Sequence, residues 1–208
     1  MLQIIPALLV AITVVIQCLA VQMSRYRLSR MNARPPHHGL ALMSGMLAAA
    51  AIILRLYQND SAVGVLFMTI MTGCMTLMTL TDAASCRLPR PFTIMYLISG
   101  SAFRLWQGDW LTGLCSAGFC FLLLLLFRQY TSYRRKTETI GLGDVFLIAG
   151  IAIWSPPGDI PWIVATAAGG ALLYLWCNRQ RRITRELPFG PFLCASQYAF
   201  TFYPGGLW

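Results

Sequence analysis

Residues 62–80 read AVGVLFMTIMTGCMTLMTL, and Thr81 and Asp82 follow at once. The run carries no charge, and about 20 mostly apolar residues are enough to cross a bilayer as a helix. Similar stretches lie at 2–22, 39–57, 92–107, 110–127, 141–155, 160–177 and 188–203, joined by short polar links. The pattern predicts an all-α polytopic membrane protein with about eight transmembrane helices. The run at 2–22 has the length of a signal peptide. It lacks a basic start and a small-residue cleavage site, and its arginines come after the apolar residues, so it reads as a span.

Composition agrees. The chain is 57% hydrophobic and 11% charged, with a mean hydropathy of +0.63. A soluble domain carries about 25% charge, and one of this size cannot hide so much apolar surface from water. A soluble enzyme, a disordered tail and a nucleic-acid binder are excluded. The seven cysteines form no C-x-x-C pair and lie mostly in apolar runs. They read as small buried hydrophobes, with neither a zinc site nor a disulfide framework.

Lys and Arg set the orientation. The links 23–38, 82–91, 128–140 and 178–187 hold 14 of the 16 basic residues, whereas the links near Asn59, Gly108 and Pro157 hold none. The basic links are therefore expected in the cytoplasm and both termini on the outer side. Arg55 and Arg104 fall near outer helix ends, where a long side chain can snorkel. Trp106, Trp110, Trp154, Trp162 and Trp208 fall at the expected outer interface, as an aromatic belt would. The net charge of +9 is mainly a topology signal, with anionic lipid a possible contributor.

Seven acids remain to be explained. Asp60, Asp109 and Asp159 fall in outer turns, and Glu138 and Glu186 in basic links, where all five are solvated. Asp82 closes one apolar run and Asp144 opens another. An ionisable group inside a span costs about 2.5–3.5 kcal/mol at a helix centre, and its presence is a functional hypothesis. The alternative is that each acid merely caps or ends a helix. The topology count puts both at the cytoplasmic face at similar depth, so the fold can bring them together. Two adjacent carboxylates share a proton. One can then activate water while the other polarises a carbonyl, as in an aspartic protease. Asp144 follows Gly141, Leu142 and Gly143. Glycines before the acid let backbone or substrate approach, or serve helix packing.

Three segments in order, TDAASCRLPRPFT at 81–93, GLGD at 141–144 and LPFGPF at 187–192, resemble the type IV prepilin peptidases, membrane aspartic proteases of the GxGD class. In the first segment Asp82 precedes Pro89 by seven residues and Thr93 by eleven. The resemblance covers roughly residues 63–203 and treats 1–208 as one membrane peptidase domain, with the first spans at 2–57. It implies that Asp82 and Asp144 are catalytic and that Gly141, Gly143, Pro89, Pro188, Gly190 and Pro191 shape the site. It implies an endopeptidase that removes the basic leader of a prepilin or pseudopilin at the cytoplasmic face of a bacterial inner membrane. No metal, organic cofactor or nucleic acid is called for; the lipid bilayer and the substrate protein are the expected partners.

The chain departs from the family at Arg90, where the family has a polar residue, and at Phe146, where it often has lysine. It also lacks the cysteine-containing insertion between the first two spans that accompanies N-methylation, since 23–38 has no cysteine. A peptidase without methyltransferase activity is therefore expected. His37 and His38 read as solvated neighbours in that link, and Glu138 and Glu186 as possible leader contacts. Two other readings use the same residues. One is a proton-coupled transporter or channel, for which Gln17, Thr69, Thr72 and Thr76 would have to line a path. The other is a catalytically inactive assembly partner of a pilus or secretion machine.

Overall fold

A computed structural model describes residues 4–31, 38–57, 61–135, 141–177 and 187–202. The described residues form eight helices: α1 (Ile4–Arg30), α2 (His38–Tyr57), α3 (Ala62–Ser85), α4 (Arg90–Gln107), α5 (Trp110–Arg135), α6 (Leu142–Trp154), α7 (Ile160–Cys177) and α8 (Gly190–Phe202). Four of them, α1, α3, α5 and α7, contain stretches long and apolar enough to cross a membrane; α2 and α6 are shorter apolar helices. Asp60, Glu138, Glu186, His37 and Trp208 lie outside the described residues.

α3 is the axis of the bundle and packs against α1, α2, α4 and α8. Its buried face carries Met68, Met71, Met75 and Met78, all 0–1% exposed. Unbranched thioether chains fill irregular gaps between helices well. α6 is buried along most of its length, between α4 and α5. α1, α5 and α7 expose Val14, Leu19, Phe119, Leu122, Leu172 and Trp176 outward. An outward apolar surface of this kind is costly in water and suits lipid.

Lipid is as apolar as leucine, so spans associate through close packing and interhelical hydrogen bonds. Both are present. A Cβ on Gly73 would meet Ile16 of α1 at 2.7 Å, and one on Gly100 would meet Ile153 of α6 at 2.7 Å. The Gln17 Nε2 donates to Thr72 at 3.2 Å, and Thr13 pairs with Thr69 at 3.2 Å, tying α1 to α3. Three of the four polar residues read as lining a conduction path, Gln17, Thr69 and Thr72, bond between these two helices. At the bundle centre Tyr96 donates to Gln197 Oε1 at 2.6 Å, and the Trp154 indole N–H donates to the Tyr96 carbonyl at 3.1 Å. Thr166 and Ser196 bond across α7 and α8.

Several expectations change. α1 and α5 run past their apolar stretches, so Arg25, Arg27, Arg30, Arg128 and Arg134 stand on helix rather than in links. Arg104 does not snorkel. It is 7% exposed; its Nε donates to the Ile153 carbonyl at 2.8 Å and a terminal nitrogen to the Ser155 carbonyl at 3.0 Å. It thereby caps the C-terminal end of α6, where carbonyls lack intrahelical donors. Asp109 is exposed, in keeping with its reading as solvated, and also pairs with Arg104 at 3.3 Å. Trp154 is fully buried and stacks on Phe103 with ring centroids 5.1 Å apart, so it is core and not belt. Trp106, Trp110 and Trp162 are exposed. Cys74 and Cys194 are buried, but Cys18, Cys115 and Cys177 lie on exposed helix faces.

Candidate active site

The site sits where the end of α3 meets the starts of α4 and α8, and the segment that follows α3 meets the start of α6. α3 does not stop at its acid. It continues to Ser85, and Cys86 closes it in a left-handed conformation (φ 51°), its N–H bonded to the Asp82 carbonyl. Asp82 therefore lies in the last turn of α3 and is buried. Three residues after Cys86, Pro89 occupies the N-cap of α4, with Pro91 in its first turn. Proline fits there because the first helical N–H groups have no intrahelical partner.

The start of α8 reaches Asp82 directly. The N–H of Phe192 bonds to the Phe189 carbonyl, so the helix begins at Gly190 with Pro191 next. The Gly190 N–H is one of the unpaired donors of a helix start, and it donates to Asp82 Oδ2 at 2.8 Å. A Cβ at position 190 would lie 2.8 Å from that oxygen and 3.2 Å from its carboxyl carbon. Glycine is thus required for the approach. Pro188, in the partly buried lead-in at 187–189, and Pro191, in the first turn of α8, flank this contact.

Asp144 lies in the first turn of α6, with Gly141 at the N-cap. An acid in that position faces the positive end of the helix dipole. Its carboxylate folds back over Gly141, where a Cβ would meet Oδ2 at 3.3 Å. Gly143 has a different neighbour: a Cβ there would meet Leu88 Cβ at 2.7 Å. Asp82 is buried and Asp144 partly exposed, and the two lie close enough for their charges to interact. Among the described residues no three His, Cys, Asp or Glu side chains gather as a metal site would require.

The two departures have local explanations. Phe146 lies two residues beyond Asp144, about 200° around the helix. Its ring packs 5.2 Å from Phe121 of α5, away from the acids. Arg90 is exposed at the start of α4. Arg27 was not singled out from sequence; its guanidinium stacks over Phe92 at 5.0 Å, bringing the end of α1 to the same end of the bundle. Leu88 belongs to the Leu-Pro within the first segment, but its contact with Gly143 was not read from sequence.

A profile of the type IV leader peptidase family matches residues 69–176, a range holding both Asp82 and Asp144. Two curated proteins are similar, the prepilin leader peptidase/N-methyltransferases of Burkholderia pseudomallei strains 1026b and K96243. Each is 33% identical over 175 residues, covering 79% of this chain and 53% of the relative. The chain spans about half the length of the curated relatives it matches. No solved structure matches it significantly.

Proposed function

Since the chain belongs to the type IV leader peptidase family, we propose that it is a multi-pass inner-membrane aspartic endopeptidase. It removes the basic leader of a prepilin or pseudopilin at the cytoplasmic face. The observation that carries this reading is that Asp82 and Asp144, the two acids at the ends of apolar runs, lie within electrostatic range of each other at one end of the bundle. The curated relatives, named prepilin leader peptidases, support the substrate class.

The chemistry follows from a carboxyl pair sharing one proton. One carboxylate takes a proton from water, and the oxygen adds to the scissile carbonyl carbon. The protonated partner donates to the carbonyl oxygen, giving a tetrahedral diol. Collapse then breaks the C–N bond as the leaving nitrogen takes a proton. The Gly190 N–H holds the Asp82 carboxylate in place, which fixes geometry before substrate arrives. A prepilin suits this placement, because its apolar helix can stay in the bilayer while its leader reaches the cytoplasmic ends of α3 and α6.

The chain acts as a peptidase without N-methylation. Support comes from the segment between α1 and α2, which has seven residues, 31–37, and no cysteine. Residues 63–203 hold the catalytic unit, and residues 2–57 supply the flanking spans. The direct test is incubation of the purified protein in detergent with a prepilin-type substrate, followed by mass spectrometry of the products. Release of the intact leader with an unmethylated new N-terminus is expected. A substrate left whole by well-folded protein overturns the reading.

A further inference from the structure

The acids are carried by separate helices, so something must fix their spacing. The Gly190 contact orients Asp82 but does not touch α6. The segment 86–89 does. It leaves α3 through the left-handed Cys86 and is tied back by Ser85, whose hydroxyl donates to the Arg87 carbonyl at 3.4 Å and the Thr81 carbonyl at 2.7 Å. It ends at the N-cap Pro89. Both ends of the segment are therefore constrained. Between them Leu88 lies against Gly143, with its Cβ 2.7 Å, Cδ1 3.4 Å and Cγ 3.6 Å from where a Gly143 Cβ would stand. The nearest atom is the root of the side chain, which no rotamer change can move.

We propose that Leu88 is a positioning residue that sets the separation of Asp82 and Asp144 by packing on Gly143. The second glycine of GLGD then serves this internal contact, and not the approach of substrate. This inference rests on the peptidase reading for its activity readout. Leu88 touches no reacting atom; it acts through the start of α6, one residue before Asp144.

Because the clash involves Cβ, it predicts a specific pattern of rescue. Gly143→Ala should lower kcat about tenfold or more, because sub-ångström misplacement of catalytic groups costs one to two orders of magnitude, with KM little changed. Adding Leu88→Ala removes Cγ and Cδ1 but keeps Cβ, so the double variant stays impaired. Adding Leu88→Gly removes the clashing atom, and that double variant should return to within about threefold of Leu88→Gly alone. The assay is leader cleavage by purified protein in detergent, with thermal unfolding of each variant measured in parallel.

The proposal is overturned if Gly143→Ala cleaves at the wild-type rate. It is also overturned if Leu88→Gly alone cleaves at the wild-type rate, or if Gly143→Ala costs as much in the Leu88→Gly background as in the wild type, which would assign Gly143 to substrate approach. If the wild-type protein itself fails to cleave, the peptidase reading falls separately. The contact is then judged by unfolding: Leu88→Gly must recover the Tm lost in Gly143→Ala, and no recovery overturns it.

Discussion

Gly190→Ala tests how the first acid is held. The backbone at 190 has no positive φ, so alanine fits the local conformation. The difficulty is the neighbour. A new Cβ would lie 2.8 Å from Asp82 Oδ2 and 3.3 Å from Asp82 Cβ. The carboxylate must move by about half an ångström or more, and the 2.8 Å bond from the Gly190 N–H is lost or bent. A hydrogen bond to a charged group contributes about 1.5–3 kcal/mol. At 1.36 kcal/mol per factor of ten, that corresponds to about 10–150-fold in rate if the bond is needed in the transition state. Leader cleavage by purified protein should show kcat reduced by that range, KM within about threefold, and Tm lowered by no more than a few degrees. A kcat within about twofold of wild type, in a variant with unchanged Tm, refutes the claim that this contact positions Asp82.

Three further outcomes are expected. Arg104→Ala leaves the Ile153 and Ser155 carbonyls without their donors; unsatisfied buried groups cost about 1–3 kcal/mol each, so Tm should fall by several degrees, against no change for the exposed Arg87→Ala. Arg104→Lys should recover little, because one ammonium does not reproduce the fork that meets two carbonyls; a full recovery in thermal unfolding would contradict the capping role. Tyr96→Phe strands the buried Gln197 Oε1 and should cost about 1–3 kcal/mol, read by the same measurement, with Tyr96→Phe plus Gln197→Leu less destabilised than the sum of the single changes. Gln17→Leu removes a bond between α1 and α3 and should cost about 0.6–2 kcal/mol while leaving leader cleavage at the wild-type rate; loss of cleavage without loss of Tm would give Gln17 a role beyond packing.

Hydropathy located the helices well because a bilayer demands a fixed apolar length. It marked the apolar part and not the helix: α1 and α5 continue to Arg30 and Arg135, since nothing in their polar extensions breaks a helix. The count of basic links put Asp82 and Asp144 at one face; in the structure it is the segment after α3, through Leu88, that packs on the start of α6 at Gly143. The contacts that hold the acids were not legible. Gly190 lies 108 residues from Asp82, and its amide carries no side-chain signal. Leu88 looks like any leucine beside a proline until α6 packs on it. Arg104 was misread because a cation near a span end has the same sequence signature whether it faces lipid or a neighbouring helix. Trp154 was misread for the same reason. Gly143 was legible as a close approach, but its neighbour was not.

The central claim is that Asp82 and Asp144 form one catalytic pair. It is tested most directly by substituting Asp82→Asn and Asp144→Asn separately, in protein purified in detergent and shown to be folded by its Tm, and following leader removal from a prepilin-type substrate. Each single variant should lose cleavage, and the double variant should be no worse than either, because the two groups act as a unit. A folded single variant that still removes the leader at the wild-type rate would contradict it.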